Sequence, residues 1–149
     1  MARVRGFDFP DHLYYLMEHD AWARLDPDGC VTVGITSLGA HISGEFVEFM
    51  ARSVGELVER TRALGMLEMS KVIRSMRAPV TGTLVETNDR VKQEPGLINT
   101  SPYDEGWLVR LRPTTWEHDS SLLVTGVAIP TAVESYMALL AEEFGENPP

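Results

Sequence analysis

Sliding the sequence along itself by thirty-eight residues brings the stretch 35–49 onto the stretch 73–87. Six of the fifteen positions are identical: Ile35/Ile73, Ser37/Ser75, Ala40/Ala78, Gly44/Gly82, Val47/Val85 and Glu48/Glu86. Leu38/Met76, Ile42/Val80, Ser43/Thr81 and Phe46/Leu84 are close in shape and follow the same register. A strand–turn–strand unit leaves one apolar face uncovered, and two such units cover each other by packing face to face. The repeat therefore predicts a mainly β chain, a flattened antiparallel sandwich with approximate two-fold symmetry.

The flanks add smaller elements. Between Asp8 and Glu18, residues Phe9, Leu13, Leu16 and Met17 fall at helical spacing with Pro10 in the first turn, which predicts a short N-terminal helix or turn. Trp22–Leu25 and Cys30–Thr36 read as a hairpin around the turn Asp26–Gly29. Val91–Tyr103 reads as a loop, and Gly106–Arg112 alternates as a half-buried strand that Pro113 closes. Pro130–Phe144 carries Val133, Met137, Leu140 and Phe144 on one face, with Gly145 just beyond, and is the C-terminal helix. Glu146–Pro149 is expected to fray. A chain of 149 residues, 44% hydrophobic, suffices for one core and not two, so one domain over 1–149 is expected, its core at about 19–123 and its helix at about 130–144.

A net charge of −9 repels phosphate backbones and anionic lipid, so neither nucleic acid nor a membrane is an expected partner. No basic leader followed by an apolar stretch opens the chain and no apolar run approaches the ~20 residues that span a bilayer, which makes the cytoplasm the expected compartment. The single cysteine, Cys30, rules out an intrachain disulfide, a CxxC redox pair and a cysteine-rich zinc site. It begins an apolar strand and reads as an inert buried thiol. Sulfur chemistry would need a cofactor. Gly34, Gly39 and Gly44 match neither a phosphate loop nor a dinucleotide fingerprint, and His12, His19, His41 and His118 lack metal-ligand spacing, so no metal is expected. No Ser-His-Asp set can be assembled from motifs either.

One segment remains. Lys71 stands between two strand-like runs, Leu64–Met69 and Val72–Val80, at a hairpin bend that leaves its amine in water. Taken alone, such a lysine is a solvated charge. Its surroundings, however, are similar to the H protein of the glycine cleavage system from about His19 to about Leu123. That family has a Glu-Ser-Val-Lys-Ala motif followed at fixed distance by Ala-Pro-Val-Ser-Gly, and this chain has Glu68-Met69-Ser70-Lys71-Val72 and Ala78-Pro79-Val80-Thr81-Gly82 at that distance. Val33-Gly34-Ile35-Thr36 and Gly44-Glu45-Phe46-Val47 resemble upstream blocks of the family; Pro95–Asn99, Ser101–Tyr103 and Gly106–Leu108 resemble its downstream blocks.

The resemblance implies a barrel-sandwich hybrid of the lipoyl/biotinyl type, with lipoic acid in amide linkage to Lys71 and Glu68 part of the attachment motif. It implies a non-catalytic carrier whose swinging arm visits successive active sites at high effective concentration. Its implied partners are a lipoate–protein ligase, a dihydrolipoamide dehydrogenase and the enzymes that load and unload the arm, in glycine cleavage a glycine decarboxylase and an aminomethyltransferase. The acidic surface would serve docking onto basic faces.

In that family, acidic residues beside a His-Glu-Trp motif and four residues after the lysine hold the loaded, cationic arm in a cleft. Here the second position is Ser75, and the front motif reads His19-Asp20-Ala21-Trp22 with one extra residue. A lost carboxylate contact is worth about 1.5–3 kcal/mol. Val72, Ile73, Arg74, Met76 and Arg77 replace small and acidic residues, and the two arginines favour an anionic partner or intermediate unless they are merely solvated. Ser70, Val72, Arg74, Ser75, His19 and Asp20 are thus the expected contacts of the arm or of partners. These departures, and the opening Phe9–Tyr15, resemble the H-like lipoate-binding proteins of heterodisulfide-reductase-like sulfur oxidation. The resemblance favours that client, with glycine cleavage as the alternative. A domain that has lost its modification and acts as a binding module is a third reading, opposed by Glu68 and Lys71 at family spacing.

Overall fold

Two facing sheets enclose most of the buried apolar side chains in the computed structural model, which describes residues 1–144. The first half of the chain forms β1 (Ala2–Val4), β2 (Phe7–Phe9), β3 (Tyr14–Leu16), a 3-10 turn at Met17–His19, β4 (Ala21–Leu25), β5 (Val31–Ile35), α1 (Ser37–Ser43) and β6 (Phe46–Ala51). There follow β7 (Leu57–Val58), β8 (Ala63–Met69), β9 (Ile73–Arg77), β10 (Gly82–Thr87), α2 (Asp89–Gln93) and α3 (Leu97–Thr100). The last elements are β11 (Val109–Pro113), α4 (Trp116–Ser120), a 3-10 turn at Gly126–Ala128 and α5 (Ile129–Phe144). One sheet has the order β3-β4-β5-β11-β10-β7 and the other β6-β8-β9, while β1 and β2 pair apart from both. No helix among the described residues is long and apolar enough to cross a membrane.

The expected sandwich forms, and the two copies of the sequence repeat share one fine detail. The second halves of the repeat are β6 and β10, one in each sheet. Against β8, the register of β6 shifts between Phe46 and Glu48; against β11, that of β10 shifts between Leu84 and Glu86. The duplicated Val-Glu pairs, Val47-Glu48 and Val85-Glu86, thus sit at the same β-bulge in both copies. A bulge bends its strand and increases its twist, and here it turns Phe46 and Leu84 into the core from opposite sides.

The first halves differ. The first copy was expected to be strand–turn–strand, but Ser37–Ser43 is helical. Thr36 caps that helix, its Oγ1 accepting from the Gly39 amide at 3.0 Å, and Gly44 ends it at φ 81°. The second copy has Arg74 at the Thr36 position and Pro79 at the His41 position, so it has neither the cap nor an amide to carry a helix onward.

Of the helix or turn expected at Asp8–Glu18, the turn forms, the Leu13 amide donating to the Pro10 carbonyl at 3.3 Å, and no α-helix does. Asp8–Glu18 instead enters β2, β3 and the 3-10 turn, because Leu13, Tyr15 and Met17 point inward with a period of two. Tyr15 and Val124 exchange backbone hydrogen bonds at 2.8 and 2.9 Å, and β3 pairs with β4. The expected loop Val91–Tyr103 contains most of α2 and all of α3. Asn99 uses it as a fastener: its Oδ1 accepts from the Phe46 amide and its Nδ2 donates to the Gly44 carbonyl. Cys30 precedes β5 and is half-buried rather than buried. The expectations for the Phe144 side chain, Gly145 and Glu146–Pro149 fall outside the described residues.

A second apolar cluster lies beside the sandwich. Val4, Phe9, Leu13, Tyr15, Met17, Trp22 and Leu38 meet Ile129, Val133 and Met137 of α5. At about 1.5–3 kcal/mol for each large side chain buried, this cluster fixes the C-terminal helix against the front of the molecule. That placement creates the cleft described next.

Candidate functional site

The β8–β9 hairpin is paired from Glu68 opposite Ile73 and Leu67 opposite Arg74 down to Ala63 opposite Arg77. The Met69 amide donates to the Val72 carbonyl at 2.8 Å, so the loop itself is two residues, Ser70 and Lys71. Leu64, Leu67, Met69 and Met76 anchor both strands in the core. Ser70, Lys71, Val72 and Ile73 are exposed, the last two each at 57%. Among the described residues no carboxylate forms an ion pair with Lys71. The residue is therefore open to solvent. Glu68 is half-buried on the outer face of the three-stranded sheet, between Glu48 of β6 and Ile73 of β9.

Down the hairpin from Lys71, a cleft of about 300 Å³ opens between β9 and α5. It collects four of the residues singled out in the sequence, His19, Asp20, Arg74 and Ser75, together with Glu18, Arg77, Tyr136 and Glu143. Ser70, Lys71, Val72 and Glu68 lie outside it.

Asp20 is its buried charge, 3% exposed. It caps the 3-10 turn in a left-handed conformation, φ 59°, its amide donating to the Met17 carbonyl and its carbonyl accepting from the Thr36 amide. Aspartate tolerates this region better than most residues, and the strain holds because the neighbours leave no alternative. A Cβ added to Gly39 would lie 2.4 Å from the Asp20 Cβ, so α1 approaches this closely only because it has a glycine there.

Both carboxylate oxygens of Asp20 are engaged. Tyr136 on α5 donates its hydroxyl to Oδ1 at 2.8 Å, and Arg74 on β9 donates Nη1 and Nη2 to Oδ2 at 3.3 and 3.4 Å. Burial pushes the Asp20 carboxyl above its ordinary range, against the pull of Arg74, Tyr136 and His19. Burial, reinforced by the adjacent Asp20, pushes the Tyr136 hydroxyl well up, so it stays a donor throughout the ordinary pH range. Tyr136 was missed in the sequence. It lies beside the Val133–Met137–Leu140 stripe that marks α5, and its partner is 116 positions away.

Behind the cleft, Trp22 donates its indole N–H to the carbonyls of Ile35 and Pro102, both at 3.0 Å. That bond ties the Ser101-Pro102-Tyr103 block to the hairpin β4–β5.

Comparison with known proteins bears on the family and the fold. The family described as Glycine cleavage H-protein matches residues 13–136. A glycine cleavage system H protein 2 of Aquifex aeolicus (strain VF5) is 34% identical over 137 residues, covering 92% of this chain and 85% of its own length. A probable glycine cleavage system H protein 3 of Sulfurisphaera tokodaii is 42% identical over 110 residues, covering 74% and 79%. The crystal structure of a glycine cleavage system H protein from Mycobacterium marinum superposes with a TM-score of 0.66 at 34% identity, covering 71% of this chain and 87% of that one. The chain belongs to the glycine cleavage H-protein family, whose members are non-catalytic carriers of lipoic acid bound covalently to a lysine.

Proposed function

We propose that this protein carries lipoic acid in amide linkage to Lys71 and that its client is a heterodisulfide-reductase-like sulfur-oxidation complex. The attachment reading rests on a simple choice. The chain has two lysines, and Lys92 lies on α2 beside Asp89 at 3.6 Å, away from any hairpin tip. Lys71 stands in the two-residue loop, exposed and without an ion pair among the described residues, three positions after Glu68. The bound cofactor supplies a dithiolane that opens to thiols and carries a group between enzymes. The protein supplies the pivot, the lysine on a hairpin anchored in the core. A lipoate–protein ligase would attach the cofactor and a dihydrolipoamide dehydrogenase would restore its ring.

The observation that carries the choice of client is the state of the cleft. An aminomethyl cargo is cationic and needs free carboxylates. Here Ser75 stands at the second acidic position of the family, and Asp20 is engaged by Arg74 and Tyr136. A sulfur adduct without positive charge has no use for those carboxylates. The second reading, a carrier of the glycine cleavage system serving glycine decarboxylase and aminomethyltransferase, is supported by the match over residues 13–136.

Reconstitution decides between them. The protein is lipoylated, the modification is located at Lys71 by mass, and glycine decarboxylase is offered as the loading enzyme. We expect no loading at a rate comparable with a glycine cleavage H protein. Efficient loading would replace the sulfur client by glycine cleavage.

A further inference from the structure

We propose that Arg74 determines which cargo this carrier retains. Its guanidinium occupies the place in the β9–α5 cleft where the cationic end of a loaded arm would otherwise sit. The inference rests on lipoylation of Lys71 and not on the identity of the client.

The cleft is acidic in its framework: Glu18, Asp20 and Glu143 line it, and the basic side chains facing them are His19, Arg74 and Arg77. Glu18 and Glu143 are exposed, where solvent and salt screen them. Asp20 is the buried carboxylate, the one able to hold a cation with little screening. Arg77 is turned aside, its Nη1 donating to the Thr61 carbonyl at 3.1 Å. Arg74 alone lies on Asp20 and places two N–H groups against one oxygen while Tyr136 holds the other. The arrangement is not a relaxed one. The Arg74 Nε is buried without an acceptor among the described residues, so the guanidinium sits where its charge is matched and not where all its donors are.

Arg74 is three residues beyond Lys71, about 10 Å along a strand. A lysine lengthened by an acyl arm and folded back along β9 brings its end group to this spot. An ammonium arriving there meets a resident cation and must displace it before touching Asp20. An uncharged or anionic end group faces no such competitor. The cleft is therefore a cation site closed by its own side chain, and the residue that closes it sets the cargo.

The test uses the lipoylated full-length protein and a chemically loaded arm. The dithiolane is reduced with a phosphine, then formaldehyde and ammonia are added. The thiol sulfur bonds to the formaldehyde carbon, ammonia nitrogen bonds to the same carbon, and the oxygen leaves as water with one hydrogen from the thiol and one from ammonia. The product is an S-aminomethyl group, cationic at neutral pH. Its release is followed by mass and compared with S-aminomethyl dihydrolipoamide free in solution.

We expect the native carrier to shed the group as fast as the free compound, and Arg74→Ser to slow release about tenfold or more, as one restored charge-assisted contact would. Arg74→Lys keeps a cation and stays fast, and adding Asp20→Asn to Arg74→Ser abolishes the gain. Arg74→Gln, closer in volume, replaces Arg74→Ser if that variant does not fold. A native carrier that already slows release tenfold, or a folded Arg74→Ser or Arg74→Gln no slower than native, overturns the proposal. Loading by glycine decarboxylase followed by release at the rate of the free compound would remove the sulfur client and leave this inference standing.

Discussion

The guanidinium of Arg74 reaches Oδ2 of Asp20 at 3.3 Å across 54 positions of sequence, joining the lysine-bearing hairpin to the turn that precedes β4. Burial is the largest influence on Asp20 and lifts its carboxyl above the ordinary 3.8, although Arg74 and Tyr136 act the other way. A folded-state pKa above the unfolded one means that the native protein binds more protons between the two values. The contribution of this carboxyl to stability is then full below the ordinary value and declines as pH rises through the raised one. Asp20→Asn does not titrate. Its stability relative to native protein is expected to shift in the variant's favour as pH rises from about 4 towards neutrality. Thermal melts at a series of pH values measure this, and a constant difference would place the carboxyl at its ordinary value.

Lys71→Arg is expected to leave the stability unchanged, within about 0.5 kcal/mol, since the lysine is exposed and makes no ion pair among the described residues. Co-expressed with a lipoate–protein ligase, the variant should show no mass increment from lipoyl. An increment on this variant would move the attachment to Lys92 and end the reading of the hairpin as the site.

Gly34 backs directly onto Trp22. A Cβ there would come within 2.5 Å of the indole Cε2 and Cζ2, and the ring cannot withdraw while its N–H bonds the Ile35 and Pro102 carbonyls. Gly34→Ala is expected to cost about 1–3 kcal/mol by overpacking, read as a lower urea midpoint with unchanged slope. A midpoint equal to native would show that the hairpin yields there.

Arg110 on β11 gathers Asp26 at 3.3 Å, Asp28 at 2.7 Å and Glu86 at 3.3 Å. Burial works to raise Asp26, but the Thr32 hydroxyl, Arg24 and Arg110 outweigh it and hold the carboxyl below its ordinary range. That contribution is present above 3.8 and is lost as pH falls through the lowered folded value. Arg110→Met keeps the apolar stem, and its melting temperature is expected to fall below native by about 2–4 °C at neutral pH. The deficit should shrink as the medium is acidified. A deficit independent of pH would assign the loss to packing.

What was legible in the sequence depended on how local its cause is. The duplicated sandwich could be read because Val47-Glu48 and Val85-Glu86 recur at one spacing, although their meaning as paired bulges appears only when β6 and β10 find their partners. The Lys71 bend could be read because strand-like runs flank it. The N-terminal stretch misled because four residues, Phe9, Leu13, Leu16 and Met17, fit a helical period while Leu13, Tyr15 and Met17 fit a strand period, and a run this short does not separate the two. Ser37–Ser43 misled for a different reason. Its likeness to the second copy outweighed the cap at Thr36, which is the local signal of a helix start. The sequence marked Asp20 and Arg74 as separate departures from the family motif; their pairing, and the presence of Tyr136, depend on where α5 docks.

The two-residue loop at Ser70 and Lys71 leaves the chain no slack at the lysine we propose as the attachment point. With both flanking strands held in the core, the arm sweeps a sphere of fixed radius about a fixed pivot, and it cannot lengthen its stroke by letting the backbone creep forward. An enzyme whose reacting atoms lie deeper than that radius must admit the two strands of the hairpin along with the arm, through a mouth at least a sheet wide. With lipoic acid on Lys71 the carrier would act as a depth gauge, sorting its partners by the shape of their entrances before any chemistry is tried.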